Sequence, residues 1–218
     1  MTQIQPTEPS TSDLADRVGR GVMNGGDGAD GLEALEGLEA LLVRRRTNLR
    51  IDPRRPVAAE LVERLCVAAQ WAPNHHRTWP WRFAALTGSA RTQLGLLVAA
   101  DLRAQEAAPE KIAKAEGKYL RAPLIMAVAV AHGVGDDSIR RLEDRDAVAA
   151  GIQNLLLAAT AAGLASYWGT GAVLELEAVR ALCGFVPTAT LIALIYLGYP
   201  IGAVPTPPRP APILHFIP

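Results

Sequence analysis

The chain has 218 residues, half of them hydrophobic, and its 22 basic side chains balance 22 acidic ones. A chain of this length buries roughly 70% of its unfolded surface, so it can form a full core without disulfides or a structural metal. The balanced charge lacks the broad electrostatic attraction that nucleic acids and membrane surfaces require in a partner, which disfavours both.

The two cysteines, Cys66 and Cys183, lie far apart in apolar, helix-like runs. This placement is typical of small core residues and not of a disulfide or a metal pair, which fits a reducing compartment. No signal peptide opens the sequence, and its apolar stretches are shorter than the ~18 residues of a membrane span. We therefore expect a soluble, cytoplasmic protein.

Residues 1–30 differ from the rest in composition. They are rich in Thr, Ser, Pro, Gly and Asp and lack a long apolar stripe, so we predict a flexible acidic leader. A short amphipathic piece near Leu14 and Val18 could instead dock on the body. Residues 31–218 are predicted to form a single domain, which includes a proline-rich, extended arm over 200–218.

The predicted elements begin with a helix for which Asp30 is the candidate N-cap. This helix carries one apolar stripe and then three arginines: Leu32, Leu35, Leu38 and Leu42, followed by Arg44, Arg45 and Arg46. Helical periodicity predicts a second helix that ends near Pro73, with its apolar side at Leu61, Leu65 and Ala68.

Further periodicity predicts helices over 90–105, 146–163 and 175–183, and strands over 81–86, 123–131, 166–170 and 190–197. The helix over 146–163 is apolar all round, which indicates burial, and the charged residues 143–146 are interpreted as a solvated helix start. This order of elements predicts helices around a small sheet.

No glycine-rich turn matches a dinucleotide fingerprint or a P-loop, so side chains would have to hold any nucleotide phosphate. Arg45, Arg46 and Thr47 could do so, since two guanidiniums and a hydroxyl suit an anionic monophosphate. Alternatively, they satisfy the last carbonyls of the first helix and face solvent. Composition leaves both interpretations open.

Residues 71–81 hold three tryptophans and two histidines in a loop bounded by prolines, which predicts a wall for a flat ligand. Core packing could explain Trp81 and Trp79. A zinc site is disfavoured, because the adjacent residues His75 and His76 would point apart in an extended loop and no third ligand follows at a metal-like spacing. No Ser, His and Asp set indicates nucleophilic catalysis.

Six segments in order resemble the nitroreductase family of flavoproteins, and the likeness is greatest to its short, minimal bacterial NAD(P)H-dependent members. The resemblance extends over residues 39 to about 216. The segments are LLVRRRT at 41–47, APNH at 72–75, WPWRF at 79–83, RAPLI at 121–125, YWGTGA at 167–172 and YLGYP at 196–200.

The resemblance implies an α+β fold with a small central mixed or antiparallel sheet surrounded by helices. It also implies an intertwined homodimer with FMN in two clefts at the subunit interface, and a C-terminal arm that wraps the neighbouring subunit. It implies that Arg45, Arg46 and Thr47 hold the phosphate and ribityl chain, with Arg209 as a further candidate. Flavin contacts are implied for Trp71 and His75 of the second subunit and for Trp168, Gly169 and Thr170. NAD(P)H contacts are implied for Ala158, Ala159, Thr160, Ala161, Ala162 and Gly163, which equally fit a plain buried helix.

Five positions depart from the family pattern, one of which is Gly169 in place of a larger residue. Leu49 replaces the Lys that larger members place near the flavin, where a positive charge stabilises the reduced ring. Trp71 stands for Arg, Trp79 for Gln and Arg77 for a small polar residue. The two tryptophans predict a narrower or differently shaped cleft.

By this resemblance the chain passes hydride from NAD(P)H through flavin N5 to a nitroaromatic, a quinone or a similar electrophilic acceptor, in a ping-pong reaction without a catalytic side chain or a metal. Three alternatives remain. The chain could bind or sequester FMN without catalysis, or reduce another acceptor by dehalogenation or enoate reduction. It could also be an interaction module without flavin.

Overall fold

The computed structural model describes residues 28–133, 135 and 137–217, so most of the predicted leader lies outside the described residues. The chain divides between Ala40 and Leu41 into two units. The helices are α1 (Gly28–Arg44), α2 (Ala59–Gln70), α3 (Gly88–Ala104), α4 (Pro109–Gly117), α5 (Ser138–Ala161) and α6 (Glu177–Leu182). The strands are β1 (Trp81–Leu86), β2 (Leu124–Val130), β3 (Ala165–Gly169) and β4 (Thr190–Gly198).

The four strands form one sheet in the order β1-β2-β4-β3, and all three pairings are antiparallel. The α+β prediction is therefore confirmed, and the sheet that the sequence left as mixed or antiparallel is antiparallel. Strands β2 and β4 occupy its centre, which agrees with their continuous apolar sequences.

Alternation along β2 divides the core into two layers. Leu124, Met126 and Val128 pack with α2 and α5 on one face of the sheet. Ile125 and Ala127 pack on the opposite face, with residues of α3, α6 and the turn Lys118–Arg121. Because successive side chains of a strand point to opposite faces, a strand buried on both sides must be apolar throughout.

Helix α5 begins at Ser138, eight residues before the predicted start. Asp137 caps it by accepting a hydrogen bond from the backbone N–H of Arg140 at 2.8 Å. The prediction that 143–146 is a solvated start is wrong, because these residues lie inside the helix and Asp144 is only 1% exposed. The first two turns are charged, so hydrophobic periodicity does not reveal them.

The remaining differences are at short or polar elements. Helix α4 was missed, although Pro109 at its first position is a helix-start signal. The helix predicted over 175–183 is divided into a 3-10 turn (Ala172–Glu175) and α6. Asp30 lies in the first turn of α1 and is not its cap. Strand β1 has the predicted bounds, and no helix within the described ranges is long and apolar enough to cross a membrane.

Both cysteines are free and half-buried. Burial raises the pKa of the Cys66 thiol to about 11, and Glu63 adds to the shift. Burial likewise raises the pKa of the Cys183 thiol to about 11. Neither thiol ionises near neutral pH, in agreement with their interpretation as small core residues.

Candidate functional site

The segment that follows α1 is bound to the edge of the sheet. Thr47 forms a parallel bridge with Ser166 of β3, and the Asn48 backbone N–H donates to the Ser166 carbonyl at 2.9 Å. Further along, the backbone N–H of Asp52 donates to the Tyr199 carbonyl at 2.8 Å. Arg45, Arg46 and Thr47 are thereby held beside β3.

The buried side chain of Asn48 joins this segment to the start of the C-terminal arm. Its Nδ2 donates to the Gly202 carbonyl at 3.2 Å, and its Oδ1 accepts from the Arg50 backbone N–H at 2.8 Å. The Arg50 guanidinium donates to the Ala203 carbonyl at 3.3 Å. Arg50 is therefore engaged with the arm, and Leu49 beside it is exposed and uncharged.

Three guanidiniums lie close together in this region. The pKa of Arg45 is lowered by burial first, and then by the neighbouring charges of Arg46 and Arg209. Arg46 donates from Nη1 to the Arg45 carbonyl at 2.5 Å, whereas its buried Nε has no partner among the described residues. Nor does any of the three form an ion pair within the described ranges. Unneutralised cations with an unpartnered buried donor favour an anionic ligand.

A cleft of about 590 Å³ opens beside Arg46, within the size range of small-ligand sites. Thr160 and Gly163 line this cleft, but Ala159, from the same predicted stretch, is buried in the core. The Thr160 hydroxyl donates to the Leu156 carbonyl at 2.8 Å and is therefore already engaged. The full lining is Arg44, Arg46, Asn48, Thr160, Gly163, Leu164, Ala165, Pro200, Gly202, Ala203, Val204 and Thr206.

The predicted flavin-contact residues Trp168, Gly169 and Thr170 form a turn at the C-terminal end of β3. A Cβ on Gly169 would lie 3.0 Å from the Leu194 carbonyl and 3.3 Å from the rings of Tyr167 and Tyr196, so a larger residue does not fit without a shift. Gly169 is three residues from Ser166, about 10 Å along an extended strand. The cationic segment and the turn therefore lie at the two ends of β3.

Two buried tyrosines support this turn from beneath. Tyr119 and Tyr196 stack with ring centroids 6.0 Å apart, and they line a cavity of about 20 Å³ together with Gly169 and Thr170. Burial raises the pKa of Tyr119 to about 12 and raises that of Tyr196 further. Both phenols therefore stay neutral, and within the described residues neither hydroxyl has a hydrogen-bond partner.

The loop over 71–81 presents aromatic side chains to solvent. Trp71, at the end of α2, is 60% exposed and Trp79 is 57% exposed. Trp81 is buried, and its Nε1 donates to the Ala147 carbonyl at 3.2 Å. Core packing therefore explains Trp81 but does not explain Trp79.

His76 has φ 60° and ψ 2°, and the loop turns at this residue. The imidazoles of His75 and His76 consequently lie on the same side, with ring centroids 3.8 Å apart. Glu143 of α5 lies beside both rings. The expectation that the two imidazoles point apart is therefore wrong, and Glu143 lies near both although it does not follow them at a metal-like spacing in the sequence.

Side chains that sequence reasoning missed hold this loop in place. Asn74 accepts from the Trp79 backbone N–H at 2.9 Å and donates to the Thr78 hydroxyl at 3.0 Å. The Thr78 hydroxyl donates in turn to the buried carboxylate of Asp144. In the sequence, Asp144 is simply one residue of a charged run. Such runs usually face solvent, so the sequence gives no reason to expect this contact.

One chain does not bring all the predicted site residues together. His75 lies beside Glu143 near the start of α5, whereas Arg46 shares the cleft with Thr160 near its end. Glu143 and Thr160 are separated by 17 residues of one helix, which is about 25 Å. His75 therefore lies far from the cationic cleft of the same chain.

The nitroreductase family model matches residues 42–199. The Escherichia coli K12 protein YdjA, provisionally named an NAD(P)H nitroreductase, is 28% identical over 160 residues, which are 73% of this chain and 86% of YdjA. The provisionally named relative YfhC of Bacillus subtilis is also 28% identical, over 73% of this chain and 82% of its own length.

Among solved structures, a provisionally named nitroreductase from Desulfovibrio desulfuricans in complex with FMN is similar with a TM-score of 0.60 and 25% identity. The match covers 79% of this chain and 91% of that one. The family model covers more than half of the chain, and the antiparallel α+β architecture agrees with it. The chain therefore belongs to the nitroreductase family of oxidoreductase enzymes.

Proposed function

We propose that the chain is an FMN-dependent oxidoreductase that reduces a flat, electrophilic acceptor, such as a nitroaromatic or a quinone, with NAD(P)H. One observation carries the proposal: an unneutralised cluster of Arg45, Arg46 and Arg209 beside an open cleft. The unpartnered Nε of Arg46 is a donor suited to a phosphate oxygen. We expect the reaction to take place in the cytoplasm.

The cleft residues fit FMN, the ligand of the Desulfovibrio desulfuricans relative. The three guanidiniums would hold its phosphate, and the Thr47 hydroxyl its ribityl chain. The turn at 168–170, at the far end of β3, would lie along the ring. When bound, FMN supplies the hydride and electron transfer, taking a hydride from the nicotinamide and delivering it to the acceptor.

A second copy of the chain would complete the site. His75 lies at the opposite end of α5 from the cationic cleft and Trp71 precedes it by four residues, so a dimer that places both on the partner's cleft explains their exposure. The apolar residues Leu42, Val43 and Phe216 are also exposed in the single chain. Exposed apolar groups of this kind favour burial against another subunit, and the arm over 200–218 is the segment that would wrap it.

The side chains here serve to bind and orient, and we assign none of them the role of nucleophile. Trp71 and Trp79 present exposed indoles, which stack on flat, electron-poor rings and restrict the width of the opening. Thr160 and Gly163 line the cleft, where a nicotinamide co-substrate would pass them. The site would therefore select acceptors by flatness and electron deficiency.

The test is the visible spectrum of the purified full-length protein under anaerobic conditions. We expect flavin absorption, bleaching by NADH or NADPH, and its return when a nitroaromatic or a quinone is added. Protein that stays colourless after FMN addition would overturn the proposal. Bound flavin that neither nicotinamide bleaches would indicate FMN sequestration, and return only with halogenated or enoate acceptors would indicate another reaction on the same fold.

A further inference from the structure

We propose that His75, His76 and Glu143 form a zinc-binding site at the opposite end of α5 from the cationic cleft of the same chain; in the proposed dimer, His75 would also lie beside the partner's cleft. The His75 Nε2 lies 3.9 Å from Glu143 Oε1, and the His76 Nε2 lies 4.0 Å from Glu143 Oε2. One ligand atom from each of the three residues lies within 4.8 Å of the others. The site belongs to the loop over 71–81 and the first turns of α5, and it does not depend on the proposed flavin chemistry.

The backbone of the loop is what brings the two imidazoles together. Neighbouring side chains of an extended chain point to opposite sides, so adjacent histidines normally cannot share an ion. The left-handed conformation of His76, with φ 60°, turns its ring to the side of His75. A non-glycine residue rarely adopts this conformation, and such strain is concentrated at functional sites.

The spacing is close to that of a tetrahedral site. Zinc lies about 2.0–2.2 Å from imidazole nitrogen and carboxylate oxygen, which places neighbouring tetrahedral ligands roughly 3.4 Å apart. The two imidazole-to-carboxylate separations, 3.9 Å from His75 Nε2 to Oε1 and 4.0 Å from His76 Nε2 to Oε2, exceed this by about half an ångström, and the set of three ligand atoms lies within 4.8 Å. Both imidazoles are exposed and unrestrained by core packing, so rotation of the side chains closes the gap.

The donor set selects the metal. Calcium and magnesium prefer oxygen ligands throughout, whereas two imidazoles with one carboxylate are a zinc set that leaves a fourth position for water. Arg140 Nε lies 3.9 Å from Glu143 Oε2, the oxygen that also lies 4.0 Å from His76 Nε2, so the carboxylate would turn Oε1 toward both imidazoles to bind the ion while Oε2 keeps the guanidinium. Coordination through the two Nε2 atoms also leaves Nδ1 of His75 available for another contact.

The loop is held in shape before any ion arrives. The Asn74 side chain bonds to Trp79 and Thr78, and Thr78 bonds to the buried carboxylate of Asp144 on the same helix as Glu143. The loop and the helix that supply the ligands are thus connected at a second point. Preorganisation of this kind lowers the entropic cost of binding.

The experiment is a calorimetric titration of Zn²⁺ into the full-length protein, as it purifies, after a chelator has been added and removed. We expect one Zn²⁺ per chain. His76→Ala and Glu143→Gln should each weaken binding by roughly a hundredfold, because even changes outside the first ligand shell cost about 10- to 100-fold. Glu143→Gln keeps the shape of the side chain and removes its charge.

The matched control is the double variant His132→Ala with His215→Ala, which removes the two histidines that lie elsewhere in the sequence. It should bind Zn²⁺ within about twofold of the wild type, since neither residue belongs to the cluster. Wild-type protein that binds no Zn²⁺, or equal losses in the control, would overturn the proposal. Flavin content is measured on the same samples, so zinc binding without flavin would contradict only the proposed function.

Discussion

The cationic cleft beside Arg46 lies near one end of α5, and the imidazoles of the loop over 71–81 lie near the other. The two regions are built in different ways. The cleft concentrates guanidiniums, and backbone bonds between segment 47–52, β3 and the end of β4 fix its position. The loop presents exposed indoles and imidazoles, and the side chains of Asn74, Thr78 and Asp144 fix its strained backbone. One end is suited to hold an anion, and the other to contact flat rings or a metal ion.

The predicted site residues of one chain therefore form two separate groups, one at the cationic cleft and one in the loop over 71–81. Within a single chain, the end of α5 beside the imidazoles of His75 and His76 lies about 25 Å from the end that lines the cationic cleft, because 17 residues of helix separate Glu143 from Thr160. Changes in one half should therefore leave the other half of the same chain intact. Four substitutions test this independence, and they are described from the largest expected effect to the smallest.

The largest effect is expected at the cationic end. Arg46→Gln removes one of three clustered charges and the buried Nε donor. FMN affinity should therefore fall by roughly ten- to hundredfold, because a hydrogen bond to a charged group contributes about 1.5–3 kcal/mol. Fluorescence titration of FMN into the apoprotein measures it. Arg64→Gln, an exposed arginine of α2, is the control and should retain affinity. Equal affinity in Arg46→Gln would refute the phosphate assignment.

A second substitution strains the helix that separates the two halves. A Cβ on Gly151 would lie 2.7 Å from the Ala69 carbonyl and in contact with the Trp81 indole. We expect Gly151→Ala to lower the free energy of unfolding by about 1–3 kcal/mol, since overpacking outweighs the higher helix propensity of Ala. Urea unfolding measures it. Gly37→Ala, with no neighbouring atom within 4 Å, should instead be neutral or stabilising.

A third substitution loosens the loop alone. Thr78→Val keeps the shape of the side chain but removes the hydroxyl that bonds the buried Asp144 carboxylate. Stability in urea should fall by about 1–2 kcal/mol, because Asp144 loses its partner. Thr78→Ser, which keeps the hydroxyl, should lose much less. A matching loss in both variants would show that methyl packing, not the hydrogen bond, holds the loop.

The smallest effect concerns the uncharged position beside the cleft. Leu49→Lys adds a cation where Arg50 cannot substitute, since Arg50 bonds to the Ala203 carbonyl. It should raise the midpoint potential of bound FMN by roughly 20–30 mV, the equivalent of about 1 kcal/mol for two electrons. Leu49→Met is the neutral control. An unchanged potential in Leu49→Lys would place residue 49 away from the ring.

Residues with a clear apolar period could be predicted from the sequence alone. Strand β1 has the predicted bounds, and β4 extends only one residue further, to Gly198. The start of α5 and the whole of α4 could not be predicted in this way. Their charged sequences have no apolar stripe, and a cap at Asp137 and a proline at position 109 define their starts.

Among the site residues, too, local sequence features gave candidates, whereas residues that act through tertiary contacts were missed. Composition alone left open whether Arg45 and Arg46 hold an anion or satisfy the end of a helix, and only the resemblance favoured the anion. Asn48 and Asp144 were not recognisable, because their roles come from contacts with Gly202 and Thr78, which are distant in sequence. The proximity of Glu143 to the two histidines is likewise a tertiary contact that the sequence does not reveal.

The fold class and the family follow from the sequence, because apolar periodicity and six ordered segments are local properties of the chain. Only the folded structure shows that the buried Nε of Arg46 has no partner among the described residues, where the two parts of the site lie, and that His76 turns its imidazole toward His75. Those properties depend on distances between segments that are remote in sequence, and on backbone conformations that packing and side-chain hydrogen bonds impose.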